Sequence, residues 1–201
     1  SKYRESIGGA EKLNSISSIE VKATANIQGT VLEMYSLKND QNQSLMEMSA
    51  MGMTIARTVF NKYQGYNEVN GQKIPLTDIE LEQAIINSAL FSELNYDFET
   101  VELVGTSVVN DEKAYEVKIT DNKSVFYSVE TGLKLKELES QEIEGNLIIG
   151  EVFYNEYEEV DGILLPKEIN QVSAAIPVPG GITFKSTSIK LNVKTSDSDF
   201  N

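Results

Sequence analysis

The chain has 201 residues, 40% of them apolar, and its 31 Asp and Glu against 17 Lys and Arg give a net charge of -14. That charge repels phosphate backbones and anionic membrane surfaces, so no nucleic acid partner is expected. Cysteine and histidine are both absent, which excludes a disulfide framework, thiolate and Ser/His/Asp catalysis, and the HExxH zinc motif.

No apolar run approaches the roughly 18 to 20 residues that span a bilayer, so no membrane-spanning segment is expected. A chain of this length buries an adequate core as one domain, and 1–201 is read as a single domain whose residues 194–201 form a polar tail. Because helix follows Ser1 at once, the chain is read as a processed or excised form of something longer. Eleven of the carboxylates and three lysines fall between residues 130 and 168, the composition of a solvated sheet face.

Tyr3, Ile7, Ala10 and Leu13 recur at helical spacing, which predicts an amphipathic helix broken near Gly8 and Gly9. From Ile19 the period becomes two: Ile19, Val21, Ala23, Ala25 and Ile27 alternate with polar residues, as in a half-buried strand. The small inward residues leave room beneath the sheet. Thr30 to Leu37 forms a second strand, and NDQNQ the next turn.

All five methionines lie between Val31 and Phe60. Met46 and Met48 share one face of a third strand, while Met53, Ile55 and Val59 share one face of a fourth, beyond a turn near Gly52. Unbranched, polarisable methionine re-packs around ligands of different shape. Met34, Met46, Met48, Met53, Ile55 and Val59 are therefore candidates to line a hydrophobic ligand pocket, or else they fill an irregular core. Arg57 is in register with Met53, Ile55 and Val59. Either it snorkels to the rim and pairs with a carboxylate, or it is a polar latch inside a cavity, where a buried charge must find a partner.

The NKYQGY segment, with Asn70 and Gly71, continues the meander to Pro75. Thr77 and Glu80 form a capping box, acidic residues favour the positive end of the helix, and Leu81, Ile85, Ile86, Ala89 and Leu90 give it an apolar face. This predicts a helix over 77–90 against the concave side of the sheet, and Ile85 joins the pocket candidates.

Val101 to Val109, Ala114 to Thr120, Ser124 to Val129 and Leu133 to Leu138 read as strands separated by NDEK, DNK and ETG turns. Leu133 and Leu135 alternate with Lys134 and Lys136. A longer strand, Asn146 to Tyr157, meets a VDG turn, and Gly162 to Pro166 leads into another. The segment AAIPVPGGI, 174 to 182, is an apolar loop or a flap. In the last strand Ile182 and Phe184 are out of phase with Ile189, Leu191 and Val193, which predicts a bulge near Ser186 to Ser188. The tail TSDSDFN is expected to fray.

Glu156 and Glu158 alternate with Glu159 and Asp161, so these carboxylates read as a solvated edge, not as a catalytic pair. A DxDxDG calcium loop is missing. The chain is read as a non-enzyme without metal or cofactor. The strand count implies an α+β, mainly β fold: a curved antiparallel half-barrel of about eleven strands with two or three helices on its concave side.

The opening YRESIGGAEKLNSISSI, the hairpin DEKAYEVKIT, the turn YSVETGLKLKE and NEYEEVDGILLPKEI resemble the LolA-like outer-membrane lipoprotein-sorting proteins of Gram-negative bacteria. They are most similar to the version found as a C-terminal extension of insulinase-type zinc peptidases. The resemblance covers nearly the whole chain. It implies a half-barrel closed by helices around a hydrophobic cavity for acyl chains, in the periplasm or at the outer membrane. The implied function is non-catalytic binding of a lipid or lipoprotein acyl chain by a monomer. The alternative is an accessory domain whose partner is a peptidase body. Arg57 is similar in kind to the cavity arginine that bonds the helical lid in LolA. A LolB-like lipid anchor would need a cysteine.

Overall fold

The structure, a computed structural model, describes residues 2–97, 99–143, 145–174 and 178–201. Residues 175–177, in the middle of the predicted loop or flap, lie outside the described residues. The elements are α1 (Lys2–Ser6), α2 (Ala10–Asn14), β1 (Ser18–Ile27), β2 (Thr30–Asn39), β3 (Gln43–Ala50), β4 (Met53–Asn61), β5 (Gln64–Val69), β6 (Gln72–Pro75), α3 (Asp78–Ser88), β7 (Glu102–Val109), β8 (Glu112–Thr120), β9 (Lys123–Ser128), β10 (Lys134–Ile143), β11 (Asn146–Val160), β12 (Ile163–Ser173) and β13 (Ile182–Leu191). The thirteen strands among the described residues belong to one antiparallel sheet, and β5 pairs with β4 and β6 with β5, continuing the meander to Pro75 as the sequence predicts. No helix among the described residues is long and apolar enough to cross a membrane.

The predicted break at Gly8 and Gly9 separates α1 from α2, and both glycines hold positive φ, 137° and 84°. Most strand connections are tight hairpins. In the VDG turn, Asp161 and Gly162 have φ of 51° and 77°, the pair of positive values whose twist matches that of the flanking strands.

The chain divides into two compact units, residues 1–10 with 93–183 and residues 11–92 with 184–201. In the first, the strands run in the order β12-β11-β10-β9-β8-β7. Helix α1 is held at the β9–β10 turn: Lys2 Nζ donates to the carbonyls of Val129 and Glu130, both at 2.6 Å, and Ser6 Oγ to that of Thr131 at 2.7 Å. Gly132, with φ of 78°, leaves room for this approach, since a Cβ there would meet Lys2 Cγ at 2.8 Å. On the opposite sheet face, Val109, Ala114 and Phe126 form a core with Leu135, Leu138 and Phe153.

In the second unit the order is β6-β5-β4-β3-β2-β1-β13. The predicted bulge in the last strand is present: Lys22 pairs with Ser188 and Ala23 with Ser186, leaving Thr187 as the extra residue. The terminal segment is not frayed. Asp197–Phe200 winds into a 3-10 turn, and Phe200, 1% exposed, completes a core with Leu37, Leu45 and Val59. A polar chain fixes the turn: Asn39 Nδ2 donates to Gln43 Oε1 at 2.7 Å, and Gln43 Nε2 donates to Asn61 Oδ1 and Asp197 Oδ1, both at 3.0 Å. The lone aromatic in TSDSDFN was the sequence signal for this docking.

Candidate functional site

Directly opposed residues of neighbouring antiparallel strands share a sheet face. In the second unit, Ala23 opposes Met34, Met34 opposes Met48, and Met48 opposes Ala56. Ser36 opposes Met46, while Ala50 opposes both Leu32 and Met53. Met34, Met46, Met48 and Met53 therefore lie together on one face, beside Leu32, Ala23 and Ala25. The two alanines are buried, so the floor at this point is shallow.

Arg57 and Val59 are on the other face, which corrects the expected register. Glu47 opposes Arg57 and Met48 opposes Ala56, but Ser49 opposes Thr54, so Ile55 is an unpaired extra residue in β4. A one-residue bulge reverses every side chain beyond it. Val59 accordingly belongs to the Phe200 core, at 1% exposure. Arg57 Nε lies 3.8 Å from Glu47 Oε2, and its register partner on β5 is Glu68. The cation thus sits in a cross-strand row of carboxylates, which is the pairing alternative of the two readings above.

Helix α3 lies on the methionine face. Lys38 Nζ, in phase with Met34, donates to the Asn87 carbonyl at 2.6 Å, and Asn67 Nδ2, opposite Thr58, donates to Glu80 Oε1 at 3.3 Å. The capping box forms as predicted, with Glu80 Oε2 accepting from Thr77 N at 2.7 Å and Thr77 Oγ1 accepting from Glu80 N at 3.4 Å. The bonds that Thr77 N and Thr77 Oγ1 donate to Glu80 Oε2, at 2.7 Å and 2.8 Å, hold the Glu80 carboxyl below its ordinary pKa. The helix does not cover the face it lies on. Met46 and Met53 are 44% and 65% exposed, and Ile85 with its neighbour Ile86 is exposed as well. The result is an open apolar surface built of flexible side chains.

The first unit carries a site that the alternation reading missed. Strict alternation puts Lys134 and Lys136 together on one face, yet Lys134 is 6% exposed. A bulge at Leu135 is responsible, because Lys134 opposes Tyr127 and Lys136 opposes Phe126, which puts the two lysines on opposite faces. Lys134 Nζ reaches Glu93 Oε1 at 2.5 Å and Glu137 Oε1 at 2.7 Å, and Lys123 Nζ reaches Glu137 Oε2 at 3.1 Å. Tyr3 from α1 stacks obliquely on Tyr127, ring centroids 5.1 Å apart, and Lys134 Nζ lies 5.6 Å and 5.0 Å from the ring centres of Tyr3 and Tyr154.

Burial alone would raise the Glu137 carboxyl, but Lys134 and Lys123 outweigh it and hold the group down to about 2. Burial likewise opposes the charge on Lys134, while Tyr154, Glu93, Tyr3 and Glu137 together keep it protonated well above the ordinary lysine value. Burial pushes the hydroxyls of Tyr3, Tyr127, Tyr154 and Tyr157 up. Tyr157 also donates to the Lys134 carbonyl at 2.7 Å. Each charge in this network has a partner of opposite sign within the unit, so it is a structural closure.

No protein-family model matches the chain, and a search of curated proteins finds no match. Among solved structures, the chain is similar to a LolA superfamily protein from Nitrosomonas europaea, with a TM-score of 0.57 at 13% identity, over 92% of this chain and 90% of that one. A looser likeness, TM-score 0.36 at 10% identity over 92% of each chain, links it to the lipoprotein LppX from Mycobacterium tuberculosis. Another, TM-score 0.31 at 8% identity over 92% of this chain and 90% of that one, links it to LprF from Mycobacterium bovis. The first likeness establishes the fold: mainly β, antiparallel and LolA-like.

Proposed function

We propose that the protein binds a hydrophobic ligand, the acyl chain of a lipid or lipoprotein, on the methionine face of residues 11–92, and does so as a non-catalytic module in the periplasm or at the outer membrane. The carrying observation is that Met34, Met46, Met48 and Met53 share one face under an amphipathic helix that leaves Met46 and Met53 in solvent. Leaving large apolar side chains uncovered forgoes roughly 25 cal/mol for each Å² that could be buried. A contiguous exposed apolar surface therefore marks a binding site, and methionine suits it to ligands without a fixed shape. The LolA superfamily fold supports the same reading by analogy.

Displacement of a fluorescent fatty acid tests it. Saturated chains of increasing length should compete with rising affinity, since each buried methylene contributes about 0.8 kcal/mol. Met46→Lys with Met53→Lys should weaken binding at least tenfold while leaving the melting temperature unchanged. The competing expectation, an accessory domain docked on a zinc peptidase, predicts an inert methionine face. Failure of every acyl ligand to bind the unmodified chain would overturn the proposal.

A further inference from the structure

The two outermost strands end the sheet in different ways. Strand β6 has four residues, QKIP, and carries Lys73 and Pro75, two of the devices by which proteins keep a free edge from pairing with other chains. Strand β7 has eight residues, ELVGTSVV, with neither lysine nor proline; it is bulged at Val104, and from Gly105 to Val109 it pairs with β8 in unbroken register. Among the described residues no strand pairs with its outer side.

The two faces flanking the β7 edge differ in chemistry. Leu103 opposes Val117, Thr106 opposes Tyr115 and Val108 opposes Lys113. Leu103, Val108 and Tyr115 are exposed on this face. On the other face, Glu102 opposes Lys118, Gly105 opposes Glu116 and Val109 opposes Glu112. Lys118 is already paired with Asp121 at 2.7 Å, so the carboxylates dominate that side. Residues 97 to 121 hold seven carboxylates against two lysines. At Val109 the strand runs into a cavity of about 280 Å³ whose lining includes Val109, Asn110, Glu112, Leu135, Glu156 and Tyr157. A mixed lining, with Val109, Leu133 and Leu135 beside two carboxylates, suits a side chain that combines an aliphatic stem with a cationic head.

We propose that β7 accepts an extended segment of a partner protein in which apolar residues alternate with Lys or Arg. It adds as a further antiparallel strand, and one of its cations enters the cavity beside Glu112 and Glu156. Main-chain hydrogen bonds to an open edge supply affinity, and alternate side chains supply specificity. The apolar phase of the segment lies with Leu103, Val108 and Tyr115, and the cationic phase with Glu102, Glu116 and Glu112. A second copy of this chain would bring the same carboxylates to the junction, and a net charge of -14 opposes that pairing.

The test titrates the full chain with a peptide of alternating valine and lysine, and with the same peptide N-methylated at alternate backbone amides. The parent peptide should bind and weaken as salt is raised. N-methylation should cost at least tenfold, because it removes main-chain pairing but keeps every charge. Val108→Lys, at an exposed edge position, should abolish binding, and Glu112→Gln with Glu156→Gln should weaken it three- to tenfold, both without a change in melting temperature. Equal affinity for the N-methylated peptide would overturn the proposal, since charge attraction alone would then explain binding. No binding of the parent peptide would overturn it as well. So would sedimentation showing a dimer that Val108→Lys dissociates, which would make a second copy the occupant.

Discussion

Both units lay a helix on one face of antiparallel sheet, and they fill the space beneath it in opposite ways. Under α1, the first unit places Lys134, Glu93, Glu137 and Lys123 in mutual contact among tyrosine rings. Under α3, the second unit places four methionines and leaves two of them in solvent. Burying charge carries a large desolvation cost, and a buried network holds only when every member has its partner in good geometry. Such a network has one arrangement, set by its own charges. Methionines carry no directional demand and tolerate several arrangements. The contrast assigns structure to the first face and binding to the second.

The largest test of the contrast is Lys134→Met. It leaves Glu93 and Glu137 buried without their cation, and removal of one partner of a buried ion pair costs roughly 3 to 5 kcal/mol. Urea unfolding should show this loss, and adding Glu93→Gln and Glu137→Gln should restore most of it. If the single variant is as stable as the parent, the network is not the closure described.

Phe200→Ala should cost about 3 kcal/mol by opening a cavity among Leu37, Leu45 and Val59. Loss of the near-ultraviolet aromatic signal together with a lower urea midpoint would register it.

The acid limb of stability reports Glu137. Its folded value, about 2, is below that of an unfolded glutamate, so its contribution is fully present above the unfolded value of about 4.3 and is lost as pH falls through the folded one. At 1.36 kcal/mol per pKa unit the contribution is roughly 3 kcal/mol, and Glu137→Gln should flatten stability between about pH 4.3 and pH 2.

The smallest effect belongs to the open face. Met46→Gln should change stability by no more than about 0.5 kcal/mol, as exposed substitutions do, while still weakening acyl binding. A large stability loss there would make the methionines core and erase the distinction between the two faces.

Much of the fold was legible in the sequence: the strand alternation, the turns, the glycine break between α1 and α2, and the Thr77–Glu80 cap all stand where the residues placed them. What was not legible traces to bulges. The one at Thr187 could be read because apolar residues stand in both phases around it, Phe184 before and Ile189 after. The bulge at Ile55 could not be read, because β4 carries apolar residues at Met53 and Val59 but also at Ala56 and Phe60, so neither phase is marked. Its consequence was to separate Arg57 and Val59 from the methionines. The bulge at Leu135 had the same effect on Lys134 and Lys136: strict alternation puts them together, whereas Lys136 pairs with Glu151 over the rings of Phe126 and Phe153 and Lys134 is buried on the opposite face. Composition read the stretch from 130 to 168 as a solvated face, and none of its described carboxylates is fully buried; what it did not show is that Lys134 turns inward to meet Glu137 and Glu93.

The docking of Phe200 sets an order on how the chain can be built. Residues 11–92 leave the ribosome early, but β13, which pairs with β1, and Phe200, which closes the core of β2, β3 and β4, come from residues 184–201. The whole of residues 93–183 must be synthesised before that core is complete. Until then Leu37, Leu45 and Val59 remain open to water beside the methionine face, so the nascent second unit displays apolar surface on both sides of its sheet, the kind of partly built state that chaperones recognise.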